Sequence, residues 1–359
     1  MANKNIVAIK VGTHILTANG SKLNRSLLSG LTEQLVYLRM KGYKPVLVSS
    51  GAVAAGKEVA NLSKETETTT GRQVYAAVGQ ARLMHEYEKL FRQHRVNVGQ
   101  VLLTRDDFSE RSRYDNALRT LKGLLTNDIV PIINENDVIA VHELSFGDND
   151  VLAAATAIAI DASKLLLLTN QEGVMTENPE TESNNAKLIR EVNDAQDIFS
   201  AISDDTISTH GIGGMYSKVN AAQIAASAGI TTWIASGLIP NNISKIIADE
   251  KIGTKFIAKE CKLSAKDRWI LCAKNTSAGV MVDKGAAQAL QDRKSLLMVG
   301  VKSIQGSFGN KEIIEVLDQN KQVIGFGVVN YSSKELIHAL DNPKILKREV
   351  IHVDNLRVL

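Results

Sequence analysis

In the stretch Pro45-Val46-Leu47-Val48-Ser49-Ser50-Gly51-Ala52-Val53-Ala54-Ala55-Gly56, a run that is apolar on consecutive positions gives way at once to serines, a glycine and small residues. Unbroken apolar character suits a strand covered on both faces, and small residues directly after it open a helix. That is half of a βαβ unit, so a mainly parallel sheet is expected. The same reading extends outward to apolar runs at 6–11, 98–103, 129–133, 164–168 and 231–234. Helix-compatible segments lie between them at 25–41, 72–93, 116–126, 150–162 and 218–228, the last two rich in alanine. The expected architecture is α/β, a three-layer sandwich around this sheet.

A change of texture follows position 253, where 258–268 is charged and carries no strand run. Beyond it, short strand-like pieces at 279–283, 295–304, 312–317 and 323–331 are separated by Gly, Asn and Asp turn signals, with one helix at 284–291. The expected organisation is a first domain over 1–258, a linker over 259–274 and a smaller β-rich domain over 275–353. A chain of 359 residues is long enough for two cores.

Bulk composition excludes several classes of function. The chain is 44% hydrophobic and 23% charged with five prolines, which leaves little room for disorder. Its net charge of +3 is too small to argue for nucleic acid. Two cysteines, Cys261 and Cys272, cannot staple a secreted framework, and Met1-Ala2-Asn3-Lys4-Asn5 leads only into a short apolar run. A cytoplasmic protein without a membrane segment is expected.

In an open α/β sheet, ligands gather at the carboxyl ends of the strands. Lys10 precedes Gly12-Thr13 at the first such end. A lysine there can neutralise phosphate oxygens, although a lone lysine at a strand end is also an ordinary surface residue. The run from Ser50 to Gly56 reads equally as an anion cradle at a helix start or as small residues for tight packing. Asn134-Glu135-Asn136-Asp137 closes the fourth run, and Gly147-Asp148-Asn149-Asp150 opens the next helix. One such residue would cap that helix, but three exceed what capping needs. Thr169-Asn170-Gln171-Glu172-Gly173 could read a base or ribose, or form a plain turn. Thr209-His210-Gly211-Ile212-Gly213-Gly214-Met215-Tyr216-Ser217-Lys218 is a glycine-rich loop leading into a helix with a cation at its start. It is neither a P-loop nor a dinucleotide fingerprint, because Gly-Lys-Ser/Thr is absent and the third glycine is missing.

His14, His85, His94, His142 and His210 lie in unrelated contexts, so neither a metal cluster nor a Ser-His-Asp arrangement emerges. Lysines, two glycine-rich anion sites and carboxylates suit phosphoryl transfer, which needs positioning and charge neutralisation more than covalent help. A carboxylate acceptor is already ionised and needs no strong base. Aspartates would hold the lysines or meet Mg²⁺ through water.

Taken jointly, and in order, Val11-Gly12-Thr13 after Lys10, the 50–56 run, Ala77-Val78-Gly79-Gln80, Leu102-Leu103-Thr104-Arg105, the 131–137 run, Gly147 to Asp150, and Gly213-Gly214-Met215 before Lys218 resemble the amino-acid kinase family, within it the glutamate kinases. The resemblance spans essentially the whole chain. It implies ATP-dependent phosphorylation of the γ-carboxylate of L-glutamate, the first step of proline synthesis, with Mg²⁺ accompanying ATP. It further implies that Lys10 and Lys218 converge on the ATP phosphates with Asp150 organising them, and that Ser50, Asp137 and Asn149 hold glutamate. Lys10, Thr169, Asn170, Gly211, Ile212, Gly213, Gly214, Met215, Tyr216, Ser217 and Lys218 would form the nucleotide side, with no direct protein ligand to metal. Members often carry Asp where Asn170 stands, and a Leu-Tyr-Thr and Asp-Pro pattern where this chain has Gly173-Val174-Met175-Thr176-Glu177-Asn178-Pro179.

Proline as feedback inhibitor, a homodimer or homotetramer and a downstream glutamyl phosphate reductase are implied in the same way. The C-terminal portion resembles a PUA domain, a fold that often binds RNA elsewhere. Here Lys302, Lys311, Lys321 and Arg348 are scattered and lack interleaved aromatics, which argues against RNA and for a structural or regulatory role. Two competing readings are an RNA-binding protein on a degenerate kinase scaffold, and a related kinase acting on aspartate, acetylglutamate or carbamate.

Overall fold

The computed structural model describes residues 5–18, 22–60, 68–140, 149–176, 186–193, 198, 214–261, 263–273, 275–340 and 345–358. The chain divides into two compact units, one of residues 1–105 with 115–262 and the other of 106–114 with 263–359.

The first unit is built on eight strands: β1 (Ile6–Val11), β2 (Lys44–Ser49), β3 (Val98–Leu103), β4 (Val130–Glu135), β5 (Lys164–Thr169), β6 (Glu191–Val192), β7 (Thr231–Ser236) and β8 (Thr254–Phe256). They lie in the order β3-β4-β2-β1-β5-β7-β8-β6. Every pairing is parallel except β7 with β8. The six apolar runs read from the sequence therefore form one parallel block. The chain adds β2 to β4 on one side of β1 and then crosses to add β5 on the other. Crevices at such reversals of strand order collect ligands.

Helices cover both faces. On one face α1 (Arg25–Met40), α3 (Thr69–Gln93) and α7 (Asn242–Ile247) pack on Val7, Ile9 and Val11 of β1, with Leu28, Leu35, Leu83, Tyr87, Phe91 and Ile246 in one core. On the other, α5 (Asn149–Ala159) lies over β1, β2, β4 and β5 and against α6 (Met215–Ser227). Because side chains alternate along a strand, this packing turns Lys10 toward the α5–α6 layer. α4 (Arg111–Thr126) leads into β4.

Glycines decide the contact between α2 (Ala52–Val59) and α3. A Cβ on Gly56 would stand 2.0 Å from the Tyr75 carbonyl oxygen, and one on Gly79 1.7 Å from that of Ala52. The small residues after β2 thus serve close helix packing. Gly51 adopts φ 105°, a conformation glycine takes without steric cost, and turns the chain from β2 into α2.

The second unit holds a five-stranded sheet of β9 (Asn275–Val282), β10 (Val301–Gln305), β11 (Ile313–Leu317), β12 (Val323–Val329) and β13 (Ile351–Val358), in the order β10-β9-β11-β12-β13. Its core includes Val280, Val282, Leu290, Leu296, Ile314, Val316, Val329, Leu336 and Ile351. The stretch expected as linker carries α8 (Ala265–Cys272), which a Ser264–Asp267 capping box starts and whose Trp269 indole donates to the Phe108 carbonyl at 3.0 Å. α9 (Lys284–Gln291) and α10 (Ser333–Ala339) complete the unit, and β13 runs past position 353. Among the described residues no helix is long and apolar enough to cross a membrane.

Gly79→Ala separates helix propensity from packing. Propensity alone would stabilise α3 by about 1 kcal/mol, but the clash with Ala52 predicts a net loss of about 3 kcal/mol in urea unfolding. An unchanged midpoint would contradict the packing account.

Candidate functional site

Lys10 sits within a strand covered on both faces, only 3% exposed. Taking an ammonium group out of water costs several kcal/mol unless a counter-charge meets it. Asp150, fully buried in the first turn of α5, provides that charge: Lys10 Nζ lies 2.6 Å from its Oδ1. Lys218, in the first turn of α6 and 8% exposed, places its Nζ 3.0 Å from the other oxygen, Oδ2. Two ammonium groups thus share one carboxylate, and the three side chains together carry one net positive charge.

Beside the trio runs a chain of amides. Asn149 Nδ2 donates to Ser50 Oγ and to Asn134 Oδ1, both at 2.9 Å, and Asn134 Nδ2 donates to Gln80 Oε1 at 2.8 Å. The residue just after β2 and residues of β4, α3 and α5 are thereby tied together. Ser50 is held from behind: its N–H donates to the Val11 carbonyl at 3.1 Å, and its own carbonyl accepts from Ser49 Oγ at 2.9 Å. The Tyr87 hydroxyl lies 2.8 Å from that Oγ, and burial pushes the phenol well above its ordinary range, so it stays protonated as a donor. Asp137 follows β4, and its carboxyl is raised by burial, an effect that the Arg72 guanidinium partly opposes.

On the far side of β1, Thr169 ends β5 and its hydroxyl donates to Asn170 Oδ1 at 3.2 Å, while its carbonyl accepts from Gly237 N–H at 2.8 Å. Asn170 is exposed. Gly214 caps α6 without a side-chain hydrogen bond, and Met215, Tyr216, Ser217 and Lys218 form the helix start. Gly211, Ile212 and Gly213 lie outside the described residues, as do Gly147 and Asp148. The structure therefore brings Lys10, Asp150 and Lys218 into direct contact and Ser50 with Asn149 beside them.

Sequence reasoning named Asn134 only within the 134–137 run and Gln80 only within the 77–80 string, and gave neither an individual role in the site. The cue for Asn134 was a polar residue at the last buried turn of a strand. Gln80 stood only within the 77–80 string, and no local pattern shows that it reaches Asn134 across 54 residues.

A hollow of about 470 Å³ lies at the opposite edge of the sheet, around Arg39, Met40, Tyr43, Lys44 and Arg95. Two of its cations are already engaged by helix-end carbonyls: Arg39 with Asp128 at 2.9 Å and Lys44 with Leu125 at 3.0 Å. It lacks a constellation comparable to the trio.

Residues 5–236 match the model of the amino acid kinase family, and residues 279–344 that of the PUA domain. The chain belongs to the amino acid kinase family. As a member, it is 38% identical over 366 residues to a glutamate 5-kinase of Photobacterium profundum, covering 99% of this chain and 97% of that one. It is 41% identical over 337 residues to the glutamate 5-kinase of Citrobacter koseri, with 94% and 91% covered. It is 39% identical to glutamate 5-kinase 2 of Pseudoalteromonas translucida over the full length of both. The amino acid kinase fold also relates it to a carbamate kinase of Giardia lamblia, at a TM-score of 0.50 and 17% identity over 72% of this chain and 100% of that one.

Asp150→Asn leaves two buried ammonium groups without the carboxylate they share. It is expected to cost about 3–5 kcal/mol in urea unfolding. A wild-type midpoint would show that the trio does not hold the site together.

Proposed function

We propose that this protein transfers the γ-phosphoryl group of ATP to the γ-carboxylate of L-glutamate, giving L-glutamyl 5-phosphate for proline biosynthesis. The observation that carries the proposal is the Lys10–Asp150–Lys218 trio, two cations on one buried carboxylate at the carboxyl edge of the sheet. The full-length relatives named glutamate 5-kinase support glutamate over aspartate, acetylglutamate or carbamate.

The chemistry brings two anions together. Unit charges 4 Å apart repel by about 4 kcal/mol at an effective dielectric of 20, so positive groups must offset that cost. Lys10 and Lys218 are the groups proposed to do so, taking up the charge of the transferring phosphoryl oxygens. A γ-carboxylate oxygen forms the new bond to phosphorus as the bond from phosphorus to the ADP oxygen breaks, and ADP leaves. No proton needs to be removed from the acceptor. Asp150 acts as an organiser rather than a base, because both its oxygens are occupied by the lysines. Ser50 and Asn149 would hold the substrate, and Asp137 would pair with its α-ammonium group. Thr169, Asn170 and residues 211–218 would hold the nucleotide.

Magnesium is expected with ATP. Among the described residues no group of three or more His, Cys, Asp or Glu is placed to hold a metal ion, so no step is assigned to a protein-held metal. The domain limits proposed remain 1–258 and 275–353. For the second unit a structural or regulatory role is proposed, supported by the burial of Phe308 and Phe326 in its interior. A cytoplasmic homo-oligomer, inhibition by proline at an overlapping site and delivery of the acyl phosphate to a reductase belong to the same reading.

With ATP and Mg²⁺, ADP release should depend on L-glutamate; an equal rate without it would refute the proposal. Lys10→Ala should lower kcat by about 10²–10³-fold with the fold intact by circular dichroism, and an active variant would remove Lys10 from the mechanism. Since burial raises the Asp137 carboxyl, it loses its charge at a higher pH than an ordinary carboxylate. KM for glutamate should therefore rise as pH falls, with a break above the range of an ordinary carboxylate that Asp137→Asn abolishes. A break unchanged in that variant would exclude Asp137 as its source.

A further inference from the structure

The amide chain beside the trio has a fixed sense, and a backbone group sets it. The N–H of Glu135 donates to Asn134 Oδ1 at 2.9 Å, and a backbone donor cannot turn round as a side-chain amide can. Asn134 must therefore keep its oxygen on that side and its NH₂ toward Gln80 Oε1. The same Asn134 oxygen faces Asn149, where only a donor is acceptable. Asn149 is thus compelled to present its NH₂ there, and a flipped amide would set two oxygens against each other. Both amide hydrogens are then used, one on Asn134 and one on Ser50 Oγ. What remains of Asn149 is Oδ1, which is buried and has no hydrogen-bond partner among the described residues. A buried acceptor left so costs about 1–3 kcal/mol. Ser50 Oγ, which accepts from Asn149, keeps its own hydrogen to donate.

We infer that Asn134, backed by Gln80, is a specificity-positioning residue: it locks Asn149 as a pure acceptor and Ser50 as a donor, and so selects a dicarboxylic acid bearing a protonated nitrogen over one without it. The inference rests on reading this site as the glutamate site. An ammonium group satisfies the buried Asn149 oxygen and a carboxylate takes the Ser50 hydrogen. A diacid without nitrogen leaves the oxygen unmet, which is the kind of loss by which hydrogen-bonding sites discriminate. Asn134 touches no reacting atom in this scheme and acts through Asn149.

The test compares kcat/KM for L-glutamate and for glutarate, the same chain without the ammonium group, in the full-length protein. Asn134→Leu should lower the glutamate-to-glutarate ratio by about tenfold or more, with the loss in KM for glutamate. Asn134→Asp retains an acceptor for both Glu135 N–H and Asn149 NH₂, and Gln80 can turn its amide to donate, so its ratio should stay within about threefold of wild type. Should Asn134→Leu fail to fold by circular dichroism, Gln80→Leu on the half-buried face of α3 replaces it, with a drop of about threefold or more expected. A wild-type ratio in the folded Leu variant, or an Asp variant as unselective as Leu, overturns the inference while glutamate turnover stands. A wild-type protein that does not turn over glutamate removes the proposed function and this inference together.

Discussion

A carboxylate with no exposed surface, that of Asp150, holds two ammonium groups between the sheet and its covering helices. Each partner would be costly where it lies without the others. Lys10 is on a strand with both faces covered, Lys218 is on a helix packed against α5, and Asp150 sits where the positive end of the α5 dipole favours an anion. The position of the site therefore follows from the fold. Parallel strands bring the ends of β1, β2, β4 and β5 to one edge, and the crossover from β4 to β5 delivers α5 above them.

The same economy governs the neighbouring amides. Four elements distant in sequence meet through Ser50, Gln80, Asn134 and Asn149. Their orientation traces back to a backbone N–H, which carries the directionality of β4 into the site. Close packing of α2 on α3 at Gly56 and Gly79 positions the helix that bears Gln80. Local backbone geometry and the polar pattern beside the trio are thus coupled through one helix pair.

What could be read from the sequence tracks how local each signal is. The six long strands of the first sheet were legible because most are apolar on consecutive positions, although β1 carries Lys10 and β3 carries Gly99 and Gln100. β6 and β8 were not, since two or three residues carry no period. α8 lay in a segment read as charged linker, although Ser264 and Asp267 form a recognisable capping box. β13, Ile-His-Val-Asp-Asn-Leu-Arg-Val, mixes polar and apolar residues because much of it is only half-buried. The run after Ser50 admitted both a cradle and a packing reading, and Gly56 serves packing. Residues of the trio stood out as charges beside apolar runs, whereas Gln80 acts through a contact no local pattern encodes.

The proposed role of Lys10 and Lys218, held by Asp150, is to meet the terminal phosphates of one nucleotide. A crystal structure with a non-hydrolysable ATP analogue and L-glutamate tests it most directly. Both ammonium nitrogens are predicted within about 3 Å of β- or γ-phosphate oxygens, with the glutamate γ-carboxylate facing the γ-phosphorus. A nucleotide whose phosphates lie away from either lysine would contradict the account.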